Sequence, residues 1–305
     1  MPKHADPGRS GQTYRPRLPG GGSTLLGLVA LMLVGCATAP QTSTDPDRPS
    51  PVLQQIAARL PGEYVSIQDE NRPVQSLSIE RRSGAEPGEV AFSLIQADAG
   101  GENQRRYGLS LQTAGIENRL DGRFALLNPQ GRARRSCPMK FHVTDQGLVG
   151  ETDPASCRFG EGAEAVGLLK EMAFDGQSIR IGDRLVEAES GEPRGEDQVI
   201  RFFRARQFSG WLGIRDGEEW RIARDFGLRP GVGVEPLDAA DMSLGVLIEL
   251  NYYRMERGND DILLRLTVTD VESGETIAES WAAPGSRNIG VALPDLQVGL
   301  NIASQ

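Results

Sequence analysis

Apolar side chains recur at every second residue along much of the chain, and this period predicts β-strands with one buried face. The alternating stretches are Val90, Phe92 and Leu94; Tyr107, Leu109 and Leu111; Met139, Phe141 and Val143; Val166, Leu168, Met172 and Phe174; and, with mixed polarity, Val199, Arg201 and Phe203. Lys170 interrupts the fourth stretch at a position of the same parity. The Asp175-Gly176 turn that follows is typical of a hairpin. Short strands with close turns predict an antiparallel meander, which protects its edges best by closing into a barrel.

A single short helix is predicted before these strands. Ser50 suits an N-cap and Pro51 suits the first helical turn. The apolar residues that share one helical face are Val52, Leu53, Ile56 and Leu60. Pro61-Gly62 ends the helix.

The last hundred residues repeat the two-residue period. The stretches are Leu244, Val246, Ile248, Leu250 and Tyr252; Ile262, Leu264, Leu266 and Val268; Ile277 to Trp281; and Leu296, Val298, Leu300 and Ile302. A Gly- and Pro-rich segment, 227–236, suggests a seam between β units. We therefore predict an all-β protein with a barrel domain at 52–206 and a β-rich C-terminal domain at 207–305.

The amino terminus is typical of an export signal. Basic residues precede an apolar run, Leu25 to Val34, which is about half of the roughly 20 residues that a spanning helix needs. The run ends in Leu33-Val34-Gly35-Cys36, which resembles the bacterial lipobox. This resemblance implies a signal peptide at 1–35 and a diacylglyceryl group on Cys36. A signal peptide whose cysteine is incidental is the alternative.

The predicted lipid would hold the protein on a membrane of the cell envelope. Ala37, directly after the lipidated residue, resembles the lipoproteins that are sent to the outer membrane, so we expect the periplasmic face of that membrane. Residues 36–51 are rich in Pro, Ser and Thr and have nothing larger than Ala to bury before Pro51. This segment is therefore expected to be a tether.

Composition narrows the classes of function. The chain has 33 basic and 42 acidic residues, for a net charge of −9, and only three of its basic residues are lysines. We expect no binding to nucleic acid, because no basic stripe is present in the sequence. Two histidines and three cysteines leave almost nothing with which to build a metal site, so none is expected.

Two cysteines remain once the first is assigned to lipid. Cys137 and Cys157 form one even pair in an oxidising compartment, so a disulfide is the default expectation. A reactive thiol at either position is the alternative. The surroundings in sequence do not favour it, because neither cysteine belongs to a Cys-X-X-Cys pair.

Several short blocks occur in a recognisable order. They are Leu60, Gly62 and Tyr64 after the helix; Gln104-Arg105-Arg106-Tyr107-Gly108-Leu109; Cys137 with Gly150-Glu151-Thr152 and Cys157-Arg158; and Gly182-Asp183-Arg184. Together they resemble the CpcT/CpeT chromophore lyase family over residues 52–206. The resemblance implies a calycin-like, lipocalin-like antiparallel barrel. It also implies a linear tetrapyrrole (bilin) as ligand, which members of that family attach to a protein cysteine or chaperone to it.

Six residues in or near these blocks are candidate ligand contacts: Tyr64, Arg106, Tyr107, Arg158, Asp183 and Arg184. The tyrosines could stack on a flat ligand or belong to the core. The arginines, with Arg105, could bind the carboxylates of a bilin or fatty acid, or could be solvated rim residues. Asp183 could protonate a bilin. Since neighbours on a strand face opposite sides, at most one of Asp183 and Arg184 lines the barrel.

From the sequence we expect a lipid-anchored envelope protein that binds a small amphipathic, bilin-like or tetrapyrrole-like ligand in its barrel. A barrel of about eight strands has room for one small ligand. Two alternatives stay open: a bilin lyase or chaperone acting on a protein cysteine, and a structural lipoprotein whose barrel is filled by its own side chains. The sequence identifies neither a catalytic residue nor a protein partner.

Overall fold

A computed structural model gives the fold of most of the chain after residue 48. The described residues are 49–68, 73–98, 101, 103–145, 147–162, 165–188, 190–255 and 261–303. The predicted signal peptide, the predicted lipidation site Cys36 and nearly all of the predicted tether lie outside them. Within these ranges, no helix is long and apolar enough to cross a membrane.

The short helix forms where the capping signals predicted it. Helix α1 spans Pro51–Arg59, and the Ser50 hydroxyl oxygen accepts a hydrogen bond from the Leu53 backbone N–H at 3.4 Å. Leu53, Ile56 and Ala57 form its buried face. This face packs into one end of the barrel, because its residues belong to the same buried cluster as the barrel interior.

Eleven strands form the first β unit. They are β1 (Gly62–Ser66), β2 (Gln75–Arg82), β3 (Glu89–Asp98), β4 (Gln104–Thr113), β5 (Arg119–Leu127), β6 (Ala133–Thr144), β7 (Gly147–Thr152), β8 (Arg158–Phe159), β9 (Val166–Phe174), β10 (Ser178–Glu187) and β11 (Gln198–Arg204). All pairings are antiparallel and follow chain order, with β7 beside β9 and β11 back on β1. Ten strands therefore close a barrel, and the two-residue β8 pairs only with β9.

The predicted barrel is thus confirmed, with ten strands in the ring. All ten and α1 contribute buried side chains to one interior cluster. Phe92, Phe141 and Phe202 are among the largest fully buried side chains. Gly122 and Gly150 make room for the Phe141 ring, since a Cβ at these positions would lie 2.6 and 2.1 Å from its atoms. The barrel next to the helix is consequently filled by its own residues.

The two ends of the barrel are here called the helix end, beside α1, and the far end, opposite to it. At the helix end the Tyr64 hydroxyl donates to the Leu60 carbonyl at 2.7 Å, and the Arg204 guanidinium donates to that hydroxyl at 2.7 Å and to the Pro61 carbonyl at 3.0 Å. Gly62 has φ +148°, and a Cβ there would lie 2.3 Å from the Arg204 guanidinium. These contacts satisfy carbonyls that a helix C-terminus leaves unpaired.

The C-terminal region is a β-sandwich. Its strands are β12 (Phe208–Asp216), β13 (Glu219–Leu228), β14 (Gly233–Val234), β15 (Val246–Arg254), β16 (Ile262–Asp270), β17 (Thr276–Ala282), β18 (Asn288–Ala292) and β19 (Leu296–Ile302). One sheet has the order β13-β12-β19-β18 and the other β14-β15-β16-β17. The strand prediction is confirmed for β15, β16, β17 and β19. The segment 227–236 joins the two sheets of this sandwich.

The sandwich packs on the outer wall of the barrel at β1 and β11. The Phe203 and Tyr252 ring centroids are 4.7 Å apart, and the Tyr252 hydroxyl donates to the Arg204 carbonyl at 3.0 Å. Strand β11 is therefore buried on both sides near its end, with Phe202 in the barrel cluster and Phe203 in the sandwich cluster. Val199 and Arg201 stay exposed on the outer side of this strand and only Phe203 reaches the sandwich, which explains the mixed pattern in the sequence.

Candidate functional site

A lysine lies inside the far end of the barrel. Lys170 shares its parity on β9 with Met172 and Phe174, which belong to the interior cluster. It precedes them along the strand, so it lies nearer the far end than they do. Only 4% of its side chain is exposed. Burial of a lysine to this degree is rare unless the charge is paired.

The Lys170 ammonium has one carboxylate and two aromatic rings around it. Its Nζ is 2.6 Å from Asp183 Oδ1, across the β9–β10 pairing in which the two residues lie opposite each other. The same nitrogen is 4.6 Å from the Phe124 ring centroid and 5.1 Å from that of Tyr107. The two rings are 5.0 Å apart. Cation–π attraction therefore adds to the ion pair.

The backbone around the lysine is fixed by a threonine. The Thr152 hydroxyl oxygen accepts a hydrogen bond from the Lys170 N–H at 2.8 Å and donates to the Leu168 carbonyl at 2.7 Å. Thr152 is buried on β7, at the inward parity of that strand. This clamp holds the start of β9 against β7 and fixes the direction in which the lysine side chain leaves the wall.

Burial lowers the pKa of Lys170 from 10.5, because desolvation disfavours its charged form. The charge of Asp183 and its hydrogen bond oppose this effect, whereas the positive charge of Arg105 adds to it. The Asp183 side chain is 34% exposed, so the pair is not sealed from water. The site thus consists of a buried cation and a carboxylate that reaches solvent.

Tyr107 connects this pair to a second cation. Burial raises the pKa of its phenol, and hydrogen bonding with Arg105 and the charge of that guanidinium oppose the increase. Arg105 itself is exposed and follows the inward parity of β4. The far end therefore presents two cations, Lys170 and Arg105, to one carboxylate, Asp183, with two aromatic rings beside them. This arrangement can bind an anion that also has a flat apolar part.

The predicted disulfide is present beside these rings. Cys137 and Cys157 are joined, with their Cα atoms 5.1 Å apart, and both side chains are buried. Cys137 lies opposite Phe124 in the β5–β6 pairing. The bond therefore ties the turn after β7 to the barrel wall at the far end.

The structure brings together only some of the residues that the sequence proposed as ligand contacts. Tyr107 and Asp183 both face Lys170 inside the barrel. Tyr64 lies at the helix end, where burial raises its pKa to about 12 and its hydroxyl binds residues of this chain. Asp183 points inward, and its neighbour Arg184 points outward, as the pleat requires.

The remaining arginines have partners outside the barrel interior. Arg106 donates to the Gln104 side chain at 2.7 and 3.1 Å, and Arg158 donates to the Ala188 carbonyl. Arg184 forms a two-point contact with Asp197, at 2.7 and 2.5 Å, and lines an outer groove of about 490 Å³. The structure places none of the three beside Lys170.

Sequence reasoning did not select Lys170, Phe124 or Thr152. The signal for Lys170 was present, because it interrupts an apolar stretch at the inward parity. A single cation within such a stretch indicates either an end of the buried region or a buried charge, and the partner that distinguishes these cases, Asp183, is 13 residues away in the sequence.

Comparisons with known proteins add little to this geometry. No family model matches the chain, and no curated protein matches it. Among solved structures, the CRL protein of Arabidopsis is similar over 50% of this chain and 97% of that chain, with 12% identity and a TM-score of 0.37. At this level the likeness carries no argument about family or function. The CpcT/CpeT resemblance therefore stays a prediction.

Proposed function

We propose that the protein binds a small amphipathic anion at the far end of its barrel. A bilin or another tetrapyrrole with carboxylate side chains fits this description, as does a fatty acid. The observation that carries the proposal is Lys170, a buried ammonium beside two aromatic rings whose partner, Asp183, is one-third exposed. Because Asp183 reaches solvent, a ligand carboxylate can approach the pair from outside and hydrogen-bond to the Lys170 ammonium.

The location follows from how the interior is filled. Side chains of the ten ring strands and α1 form one buried cluster that extends from the helix to Tyr107 and Phe124. The ligand therefore lies at the far end, with its carboxylate against Lys170 and Arg105 and its apolar part against Tyr107.

The first experiment uses biliverdin and oleate as probes. The protein is titrated with each, and binding is followed by visible absorbance for biliverdin and by calorimetry for oleate. Lys170→Met keeps the length of the side chain and removes its charge. We expect about tenfold to a hundredfold weaker binding, because a charge-assisted hydrogen bond contributes about 1.5–3 kcal/mol.

Lys140→Met is the matched control. Lys140 also pairs with an aspartate at 2.6 Å, Asp121, but its side chain is 75% exposed on the outer wall. It should bind both probes like the wild type. Arg105→Gln, at an exposed position, tests the second cation without disturbing the core. The proposal fails if neither probe binds, or if Lys170→Met and Arg105→Gln both bind as tightly as the wild type.

A second candidate function follows from the filled interior. A barrel packed by its own side chains also suits a structural lipoprotein without a ligand. Failure of both probes would favour this alternative. Covalent transfer of the bilin to an acceptor thiol would instead favour the lyase or chaperone function that the family resemblance implies.

We also propose that Cys36 anchors the protein in the cell envelope, on the periplasmic face of the outer membrane. The support is the Leu33-Val34-Gly35-Cys36 sequence after an apolar run. The processed protein should incorporate labelled palmitate and partition into detergent, whereas Cys36→Ser should do neither. Recovery of the label in the inner-membrane fraction would contradict the outer-membrane assignment.

A further inference from the structure

The sandwich carries an aromatic surface on the outer face of the sheet β13-β12-β19-β18, away from its core. Trp211 on β12 and Trp220 on β13 are each 40% exposed there. The Trp211 ring lies against Gly299 of β19, where a Cβ would be 2.5 Å from its Nε1. The Trp220 ring lies against Gly213, where a Cβ would be 3.2 Å away. We call these four residues the Trp platform.

The glycines allow both indoles to lie down on the sheet. Any side chain at Gly299 would occupy the volume of the Trp211 ring and lift it away. An indole that lies on the backbone covers one ring face and leaves the other to solvent, which agrees with the exposed fractions. The two rings are neighbours, since atoms of both lie within 3.9 Å of the Cβ position of Gly213. The platform is therefore a continuous aromatic strip across three strands.

The positions around the strip are mostly polar. Strand pairing and alternation place the following residues on the same face: Ser209, Arg215, Ile222, Arg224, Asn288, Gln297 and Asn301. Asp295 adds a carboxylate at the edge of this face, 3.8 Å from the Arg215 guanidinium. Hydroxyl, amide and guanidinium groups are donors and acceptors for hydroxyl groups of a ligand.

We propose that the Trp platform binds a polysaccharide chain of pyranose rings. The face of a pyranose ring exposes C–H groups that pack on an indole, and the hydroxyl groups at its edge hydrogen-bond to the surrounding amides and arginines. Coverage of glycines by aromatic rings also stabilises sheets, but that role does not require two exposed rings in line. The proposal is independent of the site at Lys170.

The size of the platform favours a glycan over a protein. A standard protein interface buries about 800 Å² on each partner and has an apolar centre. The apolar part of this face consists of two half-exposed indoles and Ile222, and the rest is polar. This area suits two consecutive sugar rings.

The test uses cellohexaose and chitohexaose with the full-length protein. Binding is measured by calorimetry and by tryptophan fluorescence, which is assignable because the chain has only three tryptophans. At least one of the two hexasaccharides should bind and shift the emission. Trp211→Ala and Trp220→Ala should each weaken binding at least tenfold, and Asn301→Ala, an exposed change that spares the indoles, should weaken it several-fold.

Trp281→Phe is the matched control. Trp281 lies on the other sheet, with its ring centroid 5.5 Å from that of Tyr253, and its replacement should leave binding and the emission shift unchanged. The proposal is overturned if neither hexasaccharide binds, or if binding survives in Trp211→Ala and Trp220→Ala. It is also overturned if sedimentation shows a dimer that Trp211→Ala dissociates, since the occupant would then be a second copy.

Discussion

The two ends of the barrel use similar side chains for different purposes. Each has a buried tyrosine next to an arginine: Tyr64 with Arg204 at the helix end, and Tyr107 with Arg105 at the far end. At the helix end, the polar groups bind backbone carbonyls left by α1, so the chain satisfies itself. At the far end the cations face a side-chain carboxylate and aromatic rings. A ligand can replace a carboxylate more easily than a backbone carbonyl, which is why we place binding there.

The largest expected effect on the unfolding free energy comes from removing the disulfide. The helix covers one end, and the disulfide ties the chain at the other. Cys137 and Cys157 are 20 residues apart, and the double change Cys137→Ala with Cys157→Ala should lower the unfolding free energy by about 3 kcal/mol. Urea denaturation measures it, with reduction of the wild type as the parallel experiment. A loss below about 1 kcal/mol would show that the disulfide adds little to the far end.

The next largest loss of unfolding free energy is expected from substitutions at the helix end. Arg204→Met should lower the unfolding free energy by about 2 kcal/mol, because it removes hydrogen bonds to Tyr64 and Pro61 and leaves their oxygen atoms less well satisfied. Tyr64→Phe, which removes one hydroxyl, should cost about 1 kcal/mol. Binding of the probes at the far end should not change. If Arg204→Met abolished binding without unfolding the protein, the two ends would not be separable in function.

A third prediction separates the two members of the ion pair. Asp183→Asn leaves the Lys170 ammonium buried without its counterion and should cost about 2 kcal/mol, less than for a fully buried pair since Asp183 is 34% exposed. Lys170→Met leaves a carboxylate that solvent can reach, and should change the unfolding free energy by less than about 1 kcal/mol. Equal losses in urea denaturation would contradict the assignment of Lys170 as the buried partner.

The smallest effect is the pH dependence of stability. Because the pKa of Lys170 is lowered in the folded protein, the unfolded chain binds more protons between that pKa and 10.5. The unfolding free energy should therefore rise with pH in this window, relative to Lys170→Met. Both proteins should carry Tyr107→Phe, so that the neighbouring phenol does not titrate. A difference that stays constant or falls as the pH rises would show that burial does not lower this pKa.

Much of the barrel could be predicted because each strand has one side that faces solvent and one that faces the interior. The alternation at Val90, Phe92 and Leu94 and the Asp175-Gly176 turn indicate strands and a hairpin directly. Strands β12 and β13 escaped prediction for a physical reason. Their outward positions carry Trp211 and Trp220, and an inward position of β12 carries Gly210, so apolar residues do not mark the buried face.

The candidate site could be predicted only in part. Tyr107 and Asp183 were selected from short blocks of sequence, and the pleat correctly separated Asp183 from Arg184. The position of the Lys170 cation between these two residues depends on which strands pair in the closed barrel. Strand pairing cannot be read from a short stretch of sequence. Lys170 lies opposite Asp183 because the hairpin at Asp175-Gly176 fixes the register of β9 and β10.

Strand β11 has a consequence for how the molecule melts. Its first residue, Gln198, pairs with Asp183 beside the ion pair, and its Phe203 packs in the sandwich. Because this strand contributes side chains to both hydrophobic cores, unfolding of either core would expose part of the other. Calorimetry should accordingly record one cooperative heat-absorption peak for both halves. A destabilising substitution in either half should lower the melting temperature of both.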